Sequence, residues 1–203
     1  ADIVAPAAVS TLSPYLRHGQ ISPRQIYHEL ATKKMGSDGV EGKKLSRVFW
    51  HRLYRREFAY WQLHNWPELP SKSVRGHYEN RKAWLEGDEA AVALHRWQTG
   101  TTGFPTVDAG MRRLWATGWM HQSERMIAAT FLVDYCGVHW THGADWFLDT
   151  LVDADLAINS MMWQNAGKSG LDQWDVFAGS LTPDGSSRAH DPEGESIARW
   201  IPE

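Results

Sequence analysis

Arg125 lies in the run SERMIAATFLVDY with Met126, Ile127 and Ala129 as neighbours, and a guanidinium in apolar company calls for a carboxylate. Asp153 and Asp155, with one alanine between them, offer two carboxylates that point in different directions. One can hold the arginine while the other faces a ligand. Asn159, one helical turn past Asp155, adds an amide that both donates and accepts. Such a set of polar groups among apolar helices suits a heteroaromatic ring, and Asp155 has a second use as the cap of the helix that follows it. Tryptophan is the compositional outlier, 12 of 203 residues, several of them central to helical patterns. Packing accounts for any one indole; the set asks for a further reason.

Other chemistries lack their usual signatures. The chain has no Gly-Xaa-Ser-Xaa-Gly elbow, no phosphate-binding P-loop and no dinucleotide glycine fingerprint. His139 and His142 form a close pair without a third ligand at a metal-binding spacing, so no metal is expected. The single cysteine, Cys136, excludes a disulfide framework and reads as a small buried hydrophobe. A net charge of -3 argues against a generally nucleic-acid-binding surface. It leaves room for a local basic face at KKLSRVFWHRLYRREF, where Lys44, Arg47, His51, Arg52 and Arg55 recur at helical spacing. A solvated face or an acidic partner is the favoured reading of that run over phosphate contacts. No apolar run approaches the roughly 20 residues of a membrane span. The start ADIVAPAAVS lacks a charged n-region, so a soluble chain, already processed, is expected.

The elements that must position these residues are helices. Ser10 or Ser13 would cap a first helix opened by Pro14, and Ser22-Pro23 opens a second over Arg24 to Lys34. Met35 to Gly42 is a flexible connection, and apolar spacing predicts a helix from Lys43 to Leu63. Asn65 to His77, with Pro67 and Pro70, reads as an ordered loop. Further helices are predicted over Ala90 to Gln98, Val107 to Thr117, Gln122 to Val138, Gly143 to Leu151 and Leu156 to Ala166. A loop-rich tail follows from Gly167, with one more turn at Glu195 to Trp200. No period-2 run and no repeat intervenes, so the fold class is all-α, a single domain over residues 1–203 with a loop-rich segment at 167–203.

The runs LSPYLRHG (Leu12 to Gly19), YRREF (Tyr54 to Phe58), TGFPTVDAGMRRLWATGWMH (Thr102 to His121) and DADLAINSMMWQ (Asp153 to Gln164) resemble the flavin-binding domain of the cryptochrome and DNA photolyase superfamily. The resemblance implies an all-helical domain holding FAD, with Ser10, Leu12 and Ser13 at the phosphates and Arg56, Trp119 and Gln122 around the cofactor. It places the Arg125–Asp153 pair and Asp155 beside the flavin ring and Asn159 at its N5. It also gives the tryptophans a role in electron transfer, in which Trp163, Trp140 and an outer member, Trp84 or Trp97, relay an electron to the excited flavin, as in a blue-light photoreceptor.

Departures from the pattern accompany the matches. Arg52 and Arg55 stand where repairing photolyases carry a glutamate and a tryptophan against the lesion, and Gln122 replaces an asparagine. Dimer repair is therefore disfavoured, and DNA is not the favoured partner. Val9 and Thr11 replace a threonine and an arginine of the phosphate cradle. Relative to the family the chain is expected to be truncated at both ends, without the antenna domain, and a protein partner is expected to cover the faces so left. A non-catalytic subunit of this fold and a photolyase fragment are the alternatives. A plastid or nuclear setting follows from the resemblance alone, and the compartment stays open.

Overall fold

Side chains that satisfy the first free backbone N–H groups set several of the helix starts. The computed structural model describes residues 9–32, 40–79, 84–171 and 191–202. Ser22 and Gln25 cap α2 (Pro23–Thr32) reciprocally: the Gln25 N–H donates to Ser22 Oγ at 3.1 Å and the Ser22 N–H to Gln25 Oε1 at 2.8 Å. The preceding helix, α1 (Ser13–Arg17), differs from expectation. Its cap is Leu12 and no side chain caps it, because Ser13 is already helical and Thr11, at φ 51°, turns the chain away from Ser10.

The long helix α3 (Val40–Asn65) begins earlier than the spacing predicted; residues 33–39 of the expected connection lie outside the described residues. Then follow α4 (Gly87–Thr99), α5 (Pro105–Thr117), α6 (Gln122–Thr130), α7 (Trp140–Thr150), α8 (Leu156–Ala166) and α9 (Glu195–Trp200). The chain is all-α, with no strand among the described residues. Two boundaries differ for identifiable reasons. The helix expected to run through Val138 widens into a π turn at Phe131–Tyr135, and Gly137, at φ 67°, takes the chain out of it. The helix expected from Gly143 starts at Trp140, because the His139 ring accepts from the Thr141 N–H. Of the expected tail, residues 172–190 lie outside the described residues, while Glu195–Trp200 is helical as predicted.

The Pro-rich loop after α3 is ordered through a single amide. Gln164, fully buried at the end of α8, donates to Leu69 O at 2.8 Å and Lys72 O at 2.7 Å and accepts from the Val74 N–H at 3.1 Å. Asp108 does the same for TGFPTVD: its carboxylate accepts from the Thr102 N–H, the Thr102 hydroxyl and the Gly103 N–H at 2.8, 2.6 and 2.9 Å. The main core joins α4 to α8 around Trp97, Met111, Leu114, Leu132 and Trp140, all without exposed surface. A second contact sets α3 on α8 through Ala59, Ala157 and Met161. A smaller cluster, Ile26, Leu30 and Leu53, holds α2 to the first half of α3. No helix among the described residues is long and apolar enough to cross a membrane.

Candidate functional site

The loop between α7 and α8, held from several sides, carries the acidic pair. Arg125, on α6, donates from Nη2 to Asp153 Oδ2 at 3.0 Å and from Nε to Met120 O at 2.8 Å. The arginine is thus satisfied by its carboxylate and by the end of the preceding turn, as its apolar setting requires. Asp153 is buried, and its second oxygen, Oδ1, has no hydrogen-bond partner among the described residues. From α1, the Arg17 guanidinium donates to Ala154 O, and His18 Nε2 lies 3.2 Å from Val152 O. These contacts tie the Ser10–Ser13 segment to the loop bearing Asp153 and Asp155.

Asp155 has both uses that the sequence left open. Its Oδ1 accepts from the Ala157 and Ile158 N–H groups at 3.1 and 3.2 Å and so caps α8. Its Oδ2 accepts from the Tyr60 hydroxyl at 2.5 Å and lies 3.8 Å from Arg56 Nη2. Three hydrogen bonds leave this carboxylate with about one further acceptor position. Tyr60, missed in the sequence, completes a chain from Arg56 (Nη2 to Tyr60 Oη, 3.2 Å) to Asp155. Its position four residues after Arg56 on one helix is the signal that could have found it. Burial, then the bond to Asp155, pushes the Tyr60 hydroxyl above its ordinary pKa.

Asn159 donates to Ala144 O at 2.9 Å, which fixes its amide orientation, and its Oδ1 accepts no hydrogen bond from the described residues. One turn further along α8, Trp163 seats its ring against Gly143 of α7, where a Cβ would lie 2.1 Å from Trp163 Cη2. Trp140 is likewise seated against Gly167 and directs its N–H toward Ser73 Oγ at 3.4 Å. Both indoles are buried. Half-buried Trp84 meets the His139 ring at 4.8 Å, and His139 meets Trp140 at 5.6 Å. Trp97 has no exposed surface, donates to Ala128 O at 2.8 Å and packs edge-on to Trp163 at 6.2 Å.

The remaining expected site residues make no hydrogen bond to this acidic pair among the described contacts. The Ser10 and Ser13 side chains are exposed and make no hydrogen bond to the described residues, and Leu12 is half-buried between them. Gln122 opens α6 with an amide that bonds to none of the described residues. Trp119 lies under the Arg113 guanidinium, 4.7 Å from ring centre to Cζ, and Arg113 is paired with buried Glu124 at 3.3 Å. Sequence reasoning missed this pair, because its two members sit on different helices and the spacing within neither helix reveals it. Burial pushes the Glu124 carboxyl above its ordinary pKa, with Arg113 opposing. Among the described residues no group of three or more His, Cys, Asp or Glu is arranged to hold a metal ion.

Among the described residues two acceptors have no donor, Asp153 Oδ1 and Asn159 Oδ1, and the Asp155 carboxylate has room for one more bond. That donor-free set fits the N–H groups of a flavin. Residues 49–203 match the family model described as the FAD binding domain of DNA photolyase. The whole chain is 39% identical to a deoxyribodipyrimidine photo-lyase of Agrobacterium fabrum over 202 residues, 40% of that protein's length. It is 34% identical to cryptochrome-2 of Arabidopsis thaliana, with 97% of this chain aligned to 32% of that one. The crystal structure of an archaeal photolyase from Sulfolobus tokodaii with two FAD molecules superposes with a TM-score of 0.77 at 34% identity, covering 94% of this chain and 40% of that one. The chain thus spans about 40% of the photolyases it matches and less of the cryptochrome.

Proposed function

The chain belongs to the photolyase/cryptochrome family, in its FAD-binding domain, and on that premise we propose that it binds FAD and serves as a blue-light-responsive core in which tryptophans deliver an electron to the excited cofactor. The observation that carries this reading is the Arg125–Asp153 pair, whose buried Asp153 Oδ1 has no donor among the described residues. Both family names among the relatives, photolyase and cryptochrome, are compatible with it.

When bound, the flavin supplies a ring that absorbs blue light and takes up one electron. The chain's own residues hold, orient and connect. Arg125 holds the Asp153 carboxylate in place through their ion pair. Asp153 and Asn159 would accept from ring N–H groups, and the Ala144 carbonyl holds the Asn159 amide in one orientation. Arg56, Tyr60 and Asp155 form one hydrogen-bonded wall, with Trp119 and Gln122 on the α6 side. Ser10 and Ser13 have exposed hydroxyls without a bond to the described residues, which would meet phosphate oxygens, while Leu12 packs against the Ile26, Leu30 and Leu53 cluster. With the cofactor bound, Trp163, one turn from Asn159, would be the innermost member of the relay, Trp140 the middle one and Trp84 the outer one. Of the two candidates for the outer position, Trp84 has the partial exposure that this end needs and Trp97 has none. Dimer repair forms no part of the proposal, because Arg52 and Arg55 place cations where the family pattern has a lesion-facing glutamate and tryptophan.

Release of the chromophore by denaturation, followed by illumination of wild type and Trp163→Phe, tests the reading. Stoichiometric FAD is expected, bleached by blue light in wild type and at least tenfold more slowly in the variant. Unchanged bleaching in Trp163→Phe removes the relay. Protein that carries no flavin and takes none up makes a structural subunit of this fold the better reading.

A further inference from the structure

Among the described large apolar side chains Trp115 is the most exposed, at 71%. It projects from α5 and stacks on Trp146 of α7, the rings 5.7 Å apart and 9° from parallel. Packing does not explain it, since Trp146 alone reaches the core. Trp146 in turn lines a groove of about 350 Å³ between α4 and α7, together with Leu94, Gln98, His142, Asp145 and Asp149. Asp145 and Asp149 are exposed, lie one turn apart on α7, and meet no cation among the described residues. Two carboxylates so spaced repel each other, and a cation placed between them removes that repulsion.

We propose that this face docks a partner protein through an arginine side chain, its guanidinium laid on the Trp115–Trp146 indoles and bonded to Asp145 and Asp149. A planar guanidinium satisfies both halves of the surface at once, stacking on an aromatic face while its N–H fork meets carboxylates; a lysine ammonium does only the second well. The carboxylates exclude a phosphate-bearing partner by repulsion and leave a purely apolar one with two charges to desolvate. Exposed tryptophan beside an arginine-accepting carboxylate is also the composition in which interface energy concentrates. The site shares no residue with the proposed flavin site, so it stands whether or not flavin binds.

The test uses the full chain, labelled with nitrogen-15, and two capped tripeptides, acetyl-Leu-Arg-Leu-amide and the same peptide with citrulline, the neutral isostere, in place of arginine. Titration of the arginine peptide is expected to shift the Trp115 and Trp146 indole N–H signals saturably. The citrulline peptide should bind about tenfold more weakly, and added salt should weaken only the arginine peptide. Asp145→Asn with Asp149→Asn, both at exposed positions, should lower arginine-peptide affinity about tenfold while the melting temperature stays at the wild-type value. Equal binding of the two peptides, absence of a saturable shift, or undiminished affinity in the double variant overturns the proposal. So does sedimentation showing a homodimer that Trp115→Ala dissolves, which makes a second copy of the chain the occupant.

Discussion

At the scale of single residues, the charges of the site are held by named partners, Arg125 by Asp153 and Met120 O and Asp155 by Tyr60 and the first N–H groups of α8. Asp153→Ala leaves the mostly buried Arg125 guanidinium facing only Met120 O, and breaking a buried pair in this way should cost about 3 kcal/mol. A urea unfolding midpoint measures it; a loss below about 0.5 kcal/mol, the level of an exposed pair, would mean that the salt bridge is solvated. His139 makes a prediction in pH. Burial first, and then His142, depresses its pKa below the ordinary 6.5, with Glu79 opposing. The unfolded chain therefore takes up this proton before the folded one, and stability falls as pH drops below about 6.5. His139→Asn keeps a cap for α7 and should flatten that part of the stability profile; an identical profile would show that another group titrates there. Arg125 and its acidic partner were legible in the sequence because a charge in an apolar helix has few ways to be satisfied. Tyr60 and the Arg113–Glu124 pair were not, since a tyrosine or a glutamate on an amphipathic helix looks the same whether it faces water or a neighbour.

At the scale of elements, glycine sets how closely α7 and α8 approach. Gly143 lies mid-helix, where alanine would ordinarily gain up to about 1 kcal/mol. Here a Cβ would stand 2.1 Å from Trp163 Cη2 and 2.7 Å from Leu132 Cδ2, both in a packed core, so overpacking should win and cost about 2 kcal/mol. Gly143→Ala should also disturb the near-ultraviolet dichroism of Trp163; a stabilised variant with an unchanged spectrum would contradict this packing. The helix positions themselves were readable from apolar spacing, and α8 and α9 fell where expected. The misplaced boundaries have local causes: a histidine cap at His139, a π turn closed by Gly137, and Leu12 in place of a serine cap on α1. Histidine is not among the usual cap residues, and a π turn leaves apolar spacing nearly unchanged.

At the scale of the whole molecule, the long helix α3 packs on α8 through Ala59 and on α2 through Leu53, beside a larger core that it does not enter. The main cluster spans α4 to α8, whereas among the described side chains Ile26, Leu30 and Leu53 are the buried apolar ones between α2 and α3. Local opening is easiest where few apolar side chains are buried, so amides of α2 should exchange with solvent ahead of those in α6 and α8. Hydrogen exchange read by mass spectrometry checks the order; uniform protection of α2 and α8 would mean a single cooperative unit. The sequence by itself determined the helical class, the Arg125 pairing problem, the Asp155 cap and the tryptophan excess, because periodicity, capping and charge burial are local or nearly local requirements. Residue pattern alone left Asp153 and Asp155 open as the arginine's partner and the resemblance pointed to Asp153; only the tertiary structure decided that Tyr60 and Arg56 reach Asp155 from α3, and that Trp97 is sealed in the core while Trp84 is partly exposed. Those choices depend on how α3, α6, α7 and α8 cross, and a crossing is set by the packing of many side chains at once, which no single stretch of sequence encodes.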